Sequence, residues 1–484
     1  MSIRVIILFL VLNLFHQIGF TQYDTTWIKT YGGNRDDISR DFIQTHDSGF
    51  LSIGSTSSFG FNNAQMYFLK LDSNGAIQWT KSHGGPGQDW GNAVIQTSDN
   101  GFLGVGYSNS YGAGGFDLYL VKLDSNGDLE YEKYYGGVDW DFAWDVIEYR
   151  PGEFYIVGET QSFGTGNTDG WIVQFDEPTQ NFTWDTTYGD IGPDGLRAIS
   201  QFRNGTLSCT GYYTNTGETQ SDLLYLNFSP NTHSTNTLLT LGDTLNDGGN
   251  DITLFSDSTV MITGYTYRND TSRTYTLRID DQNNILRHEI WSLGDYAEGK
   301  SVVERPDGYA AIFSSTHFAS MGYEFWFYFM DTYGSGTAGS LQDDYASKMI
   351  ISNRGYYMMT GYTEGFGATY PDILIYKTDT GNYDPNNFYK IEDGQNIVSV
   401  SPAQNVDGTI EINFNNDFLN IQQHSSKSDI LHVFITNVLG QNILFRKTTD
   451  SYLVIPTSQL NKGSYFCTIL LNNGRRITKQ FTVL

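Results

Sequence analysis

Aspartate recurs in register along this chain. Asp37, Asp89, Asp141, Asp194, Asp247 and Asp344 each stand 17 residues before a repeated glycine, and Asp117, Asp169, Asp222 and Asp372 open the segments that follow it. Carboxylates gathered on one face hold a cation, attract a basic partner, or work as an acid/base pair on a glycosidic bond. They also cap turn amides, a structural task that needs no ligand. Five rings, Phe59, Tyr111, Phe163, Phe366 and Tyr370, lie in Ser/Gly-rich loops on the same side of the repeat. Exposed rings among polar groups are what a sugar or peptide stacks on, although a ring that recurs with a repeat also serves to anchor its own loop. These five, with Asp117 and Asp169, are the candidate ligand-binding residues.

Other chemistry has little support. There is no His-Glu-x-x-His, Gly-x-Ser-x-Gly, Walker loop or Cys-x-x-Cys in the sequence, so the commonest zinc, serine-hydrolase and nucleotide sites are absent as motifs. The histidines show no metal-ligand spacing, and Cys209 and Cys467 read as separate buried residues. No metal or cofactor is expected, calcium being the ion an acidic rim could take although no motif calls for it. The sixth repeat breaks the pattern: Tyr296 stands in the Asp position and Phe313 in that of the glycine. Tyr296, His317, Tyr323 and Glu324 are therefore where a catalytic site would be sought.

The elements that must carry these residues follow from internal repetition. Asp47-Ser-Gly-Phe-Leu-Ser-Ile-Gly54 returns as Asp99-Asn-Gly-Phe-Leu-Gly-Val-Gly106 and then in five weaker forms, with anchors at 54, 106, 158, 211, 264, 313 and 361. The first repeat resolves into four short strands, Ile38–Thr45, Phe50–Thr56, Met66–Leu71 and Ala76–Ser82, separated by turn residues. Four antiparallel strands at a period near 50 predict one propeller blade, and seven repeats predict seven blades. The seventh repeat lacks an outer strand, whereas Thr26-Trp-Ile-Lys-Thr-Tyr31 supplies one at the other end of the chain. The N-terminal segment should therefore close the ring and remove an open sheet edge.

Charge divides the chain. Residues 23–394 hold 20 Lys+Arg against 49 Asp+Glu, a net of −29, while residues 395–484 hold 7 against 5. The acidic part repels phosphate backbones and anionic lipid, so nucleic acid is not an expected partner. The apolar run Val5–Phe15 after Arg4 has the layout of a signal peptide over residues 1–21 and is too short for a transmembrane anchor. The expected domains are a propeller at 22–390 and a small β-sandwich at 391–484, so the fold class is all-β: a seven-bladed β-propeller followed by an Ig-like sandwich.

The motifs Trp-x-Lys-Thr-Tyr-Gly-Gly, Asp-x-Gly-Phe and Leu-x-Lys-Leu-Asp-x-x-Gly of the first two repeats resemble the Gly-rich β-propeller repeats of secreted Bacteroidetes proteins. In the tail, Asn437-Val-Leu-Gly440-Gln441, Leu460-Asn-Lys-Gly463-Ser-Tyr465 and Lys479-Gln-Phe481-Thr-Val483 stand in the order seen in the C-terminal sorting domain of the type IX secretion system. The Tyr-Pro-Asn-Pro that opens such domains is replaced by Val400-Ser-Pro402-Ala-Gln. The resemblance implies export by that machinery, which would be one partner, and a secreted or cell-surface location. The expected function is a binding protein whose loop-rich acidic and aromatic face contacts a glycan or protein. The alternative is a polysaccharide-active hydrolase or lyase using rim carboxylates.

Overall fold

In a computed structural model, residues 27–378 are described apart from the short segments 62, 243–244, 269–270, 292–294, 319–321, 331–333, 341 and 367, together with strand segments between 397 and 483. The expected signal peptide (1–21) and the stretch proposed as the domain boundary (384–396) lie outside the described residues.

Seven sheets follow one another along the chain. The first contains Asp37–Gln44, Phe50–Thr56, Gln65–Leu71 and Ile77–His83, hydrogen-bonded in that order. The innermost strands, Asp37–Gln44, Asp89–Gln96, Asp141–Arg150, Gly195–Gln201, Asp247–Leu254, Tyr296–Glu304 and Asp344–Ile351, are spatial neighbours in succession, and the last lies against the first. They surround a central axis: the molecule is a seven-bladed propeller. As the repeat count required, Trp27–Tyr31 pairs antiparallel with Asp372–Thr378 of the seventh blade, and Ile397–Ser399 pairs parallel on its outer side.

Each interface between blades has its own apolar core. Between the first and second lie Leu51, Ile53, Phe68, Val94, Phe102, Tyr119 and Val121, and equivalent clusters fill the other six junctions. Burial of these rows from both sheets is the main cohesive force of the ring. Closure belongs to the same system, because Tyr31 of the N-terminal strand packs with Phe42, Phe50 and Tyr67 of the first blade. The repeated Asp and Lys of the motifs pair on the tight-turn face: the ammonium of buried Lys70 lies 2.8 Å from Asp47, and that of Lys122 2.8 Å from Asp99.

One irregularity sets the geometry of the centre. In all seven blades the innermost strand carries a β-bulge against its neighbour, with one extra residue: Arg40, Asn92, Trp144, Arg197, Asn250, Lys300 or Ser347. The bulge presses a backbone carbonyl onto the anchor glycine, where a methyl group would lie 1.8 Å from the oxygen of Ile38 (Gly54) or Trp90 (Gly106). The glycine recurs because the bulge recurs.

The bulge also corrects the reading of the sixth repeat. Gly299 pairs with Ser314 and Ala297 with Thr316, as Ser39 pairs with Gly54 and Asp37 with Thr56. The anchor of that blade is therefore Ser314 rather than Phe313, and Ala297 rather than Tyr296 holds the Asp position. With no glycine in the sequence to mark the register, it shifts by one residue.

In the tail, Ile410–Phe414, Phe418–Gln423 and Tyr452–Pro456 form one sheet, and Asn442–Lys447, Ile430–Asn437, Gly463–Leu471 and Arg476–Val483 another. Val433, Ile435, Ile455, Leu460, Tyr465 and Cys467 are buried there. Cys209 is buried in the core between blades three and four, and both thiols are free.

Candidate functional site

The rim aspartates start the innermost strands, where the chain passes from one blade to the next, and all six in register are buried. The oxygens of Asp37, Asp89 and Asp141 are engaged. Asp89 accepts from the Gly85 amide at 2.8 Å, Gln65 Nε2 at 3.1 Å, Ser110 Oγ at 2.8 Å and the Ser108 hydroxyl. Asp141 accepts from the Gly137 amide, Ser162 Oγ and the Thr160 hydroxyl, and Asp37 from the Gly33 amide, Ser58 Oγ and the Thr56 hydroxyl. A carboxylate reaching four residues back to an amide and across to the next strand ties the inter-blade connection to the blade.

The third-strand carboxylates meet this set. Asp117 and Asp141 flank Gly136, as Asp169 and Asp194 flank Gly189, Asp222 and Asp247 flank Gly242, and Asp372 and Asp37 flank Gly32. Burial pushes the carboxyls of Asp37, Asp194 and Asp344 up to about 6 and, with the Asp37 charge beside it, that of Asp372 up to about 7. Asp117 accepts from the Ala113 amide at 3.0 Å, and Asp169 from the amides of Thr165 at 3.0 Å and Gly166 at 2.9 Å. Both are 1% exposed.

The candidate rings are spread over separate blades. Phe59 is half-buried with its ring 5.7 Å from Tyr67, and Phe163 lies 5.6 Å from Trp171. Phe366, with φ of 54°, is buried in the core between blades six and seven. Tyr111 and Tyr370 are about half exposed, the former 5.6 Å from Tyr134. The structure does not gather the five into one cluster. Of the residues at the repeat-six break, Tyr323 stands 5.9 Å from Tyr296 and 5.0 Å from His317, while Glu324 is buried with Asp344 against Gly339.

A second set, not singled out in the sequence, surrounds the axis. The bulge residues and their neighbours line a cavity of about 740 Å³ at the mouth of the central channel. Its walls carry Trp144, Tyr212, Tyr265, Tyr267, Tyr296, Tyr345 and Tyr362. Tyr212, Tyr265 and Tyr362 directly follow anchor glycines, so the second strand presents them beside the bulge.

Charged groups are interleaved with these rings. The Arg197 guanidinium lies over Trp144 at 4.2 Å and Tyr212 at 5.3 Å, and 3.4 Å from Glu159. Glu159 also accepts from Trp144 Nε1 at 2.9 Å and from the Tyr212 hydroxyl. Across the mouth, Glu298 accepts from Asn250 Nδ2, the Tyr296 hydroxyl and Lys300 Nζ, each at 2.9 Å. Lys300 and these hydrogen bonds hold the Glu298 carboxyl below its usual range although burial opposes them.

At the floor, Asp41, Asp145 and Asp251, from blades one, three and five, accept from the amides of Val94, Ile199 and Val302 in the next blade, each at 2.9 Å. Lys348 of blade seven lies 3.0 Å from Asp251. Burial pushes the Asp145 carboxyl up to about 7.

A signal for this set is present in the sequence. The rim aspartates recur in six blades and the loop rings in four, each in a structural setting that its own blade supplies. The bulge positions, embedded in the same repeat, read Arg, Asn, Trp, Arg, Asn, Lys and Ser.

Fold and tail together define a class, that of propellers exported by means of a C-terminal domain. The tail is the specific part: residues 408–483 match the secretion system C-terminal sorting domain. The chain thus carries a type IX sorting domain, which places it on the cell surface or in the medium and makes the secretion machinery a partner. No match is found among curated proteins.

Similar solved structures are found at low identity. The extracellular domain of a hybrid two-component system from B. thetaiotaomicron is 10% identical, with a TM-score of 0.43 over 93% of this chain and 57% of that one; this chain spans little more than half its length. A fungal alcohol oxidase of the AA5 family, in complex with copper, is 12% identical with a TM-score of 0.46 over 94% and 98% of the two chains. PorZ, a surface component of the type IX secretion system of Porphyromonas gingivalis, is 9% identical with a TM-score of 0.38 over 94% and 70%. No helix among the described residues is long and apolar enough to cross a membrane.

Proposed function

We propose that the exported propeller is a glycan-binding protein and that its ligand enters the channel mouth. The observation that carries this reading is a concave cavity of about 740 Å³ walled by seven aromatic side chains and by Arg, Glu, Asn and Lys groups. That volume falls in the range of small-ligand sites, roughly 300–1,000 Å³, whereas a folded protein partner engages a broad surface patch. Ring faces take the C–H faces of a sugar, and the fixed polar groups between them take its hydroxyls. The exposed rim rings Tyr111 and Tyr370 are available to a longer chain leaving the mouth.

Binding fits these carboxylates better than hydrolysis does. Glu159 and Glu298 are each held by a cation and by aromatic hydroxyl or indole donors, and a Glu298 carboxyl kept below its usual range is unsuited to donate a proton as a general acid.

Calorimetric titration of the purified protein with a panel of neutral and acidic oligosaccharides tests the reading, with product analysis on each ligand that binds. Trp144→Ala should weaken binding about 10-fold, the equivalent of one stacking contact. Absence of binding across the panel, or an unchanged affinity in that variant, refutes it.

A further inference from the structure

Three of the four cations lining the mouth have a carboxylate partner: Arg197 pairs with Glu159, Lys300 with Glu298 and Lys348 with Asp251. Arg40 is the exception. It is the bulge residue of the first blade, half-buried, with its guanidinium 5.3 Å over the indole of Trp90. Among the described residues no acceptor lies within hydrogen-bond or ion-pair distance of it. The indole fixes the plane of the guanidinium, and its N–H fork remains open for a planar anion.

A complementary vacancy lies in the next blade. Asn92, the bulge residue of blade two, donates Nδ2 to the Ala143 carbonyl at 2.7 Å, while its Oδ1 is buried and accepts nothing. The side chain is 7% exposed and lines the same cavity. A buried acceptor left unmet is costly, as is an unmet fork of charged donors partly withdrawn from water. One ligand meets both needs if it carries an anionic oxygen pair for Arg40 and a hydroxyl donor for Asn92.

Resting on the glycan reading, we infer that the mouth selects an anionic saccharide, its charged group seated on Arg40 and a neighbouring hydroxyl on Asn92 Oδ1. A sugar carboxylate, planar, and a sulfate ester, tetrahedral, each offer Arg40 a pair of anionic oxygens. Neither floor nor wall supplies a competing partner: Asp41 accepts from Val94, and Glu159 and Glu298 already hold cations. The net charge of −29 on residues 23–394 makes this cationic spot a local feature, so recognition of an anion depends on contact rather than on long-range attraction.

The test is calorimetric titration of the full protein with an oligouronate, its methyl ester, a sulfated oligosaccharide and a neutral oligosaccharide of equal length. The uronate or the sulfated ligand should bind roughly 10- to 100-fold more tightly than the ester and the neutral sugar, the weight of one charge-assisted contact. Which of the two wins identifies the anion. Arg40→Gln should abolish that preference, bringing the uronate or sulfated ligand down to the affinity of the neutral sugar for the same variant, and Asn92→Ala should weaken all four. Equal affinity of wild-type protein for the uronate, sulfated and neutral ligands overturns the inference but leaves the glycan reading intact, and it does so whether or not the variants fold. Absence of binding by all four ligands overturns both.

Discussion

Replacing Asp89 separates a structural rim from a cation-binding one. The side chain is fully buried and accepts from the Gly85 amide, Gln65 Nε2, Ser110 Oγ and the Ser108 hydroxyl. In Asp89→Ala the two hydroxyls can turn to other acceptors and Gln65 Nε2 keeps the carbonyls of Ala64 and Gly85, but the Gly85 amide is left buried without a partner. With roughly 1–3 kcal/mol for the orphaned amide and about 1 kcal/mol for the lost Gln65 hydrogen bond, the loss should be about 2–4 kcal/mol. Asp89→Asn keeps one acceptor oxygen for Gly85, and its amino group can be received by rotated serine hydroxyls, so its loss should be about 1–2 kcal/mol. Urea unfolding with tryptophan fluorescence measures both, and glycan affinity should not change because Asp89 lies outside the mouth. A loss below about 0.5 kcal/mol for the alanine variant would refute the capping argument. So would a wild-type thermal midpoint that rises several degrees with calcium, falls with chelator, and loses that response in Asp89→Asn.

Two further expectations follow from buried groups. The carboxyl of Asp37 is at about 6 in the fold against 3.8 unfolded, so the native state holds its proton more tightly and stability should fall as pH rises from about 4 to about 6. The loss is at most about 3 kcal/mol for this group. Urea midpoints across that range should decline, and Asp37→Asn should remove part of the decline; a slope unchanged by the substitution contradicts the burial argument. At the ring closure, Tyr31 is 1% exposed and donates its hydroxyl to the Gly75 carbonyl at 2.8 Å. Tyr31→Ala should destabilise the propeller by about 3–5 kcal/mol in the same assay, whereas a loss under about 1 kcal/mol would mean that closure contributes little.

The architecture was legible because a propeller is written seven times. Strand alternation, Asp-x-Gly turns and a spare N-terminal strand fixed the blades, the closure and the outline of the first repeat to within a residue. The sorting domain was legible from three short motifs at the tail. The sixth blade was misaligned by one because Ser314 stands where its register marker should be. The rim residues were legible as a set, yet their surroundings were not. That Asp117 and Asp169 face backbone amides, and that Phe366 points into a core, depends on loop paths that alternation does not encode.

The mouth escaped for a definable reason. Simple alternation from Asp37 puts Ser39 and Asp41 on one face and Arg40 on the other, but the extra residue of the bulge breaks that count and brings Arg40 and Asp41 together onto the cavity wall. An unpaired bulge residue has no ladder bond to satisfy with a cross-strand neighbour. Its side chain can therefore change from blade to blade without disturbing the sheet, while the glycine opposite the bulge and the aspartate at the strand start are kept in six of the seven blades. Repetition thus reports what holds each blade. The positions released from repetition, Arg40, Asn92, Trp144, Arg197, Asn250, Lys300 and Ser347, are the ones free to be shaped by a ligand, and the channel brings all seven around one axis.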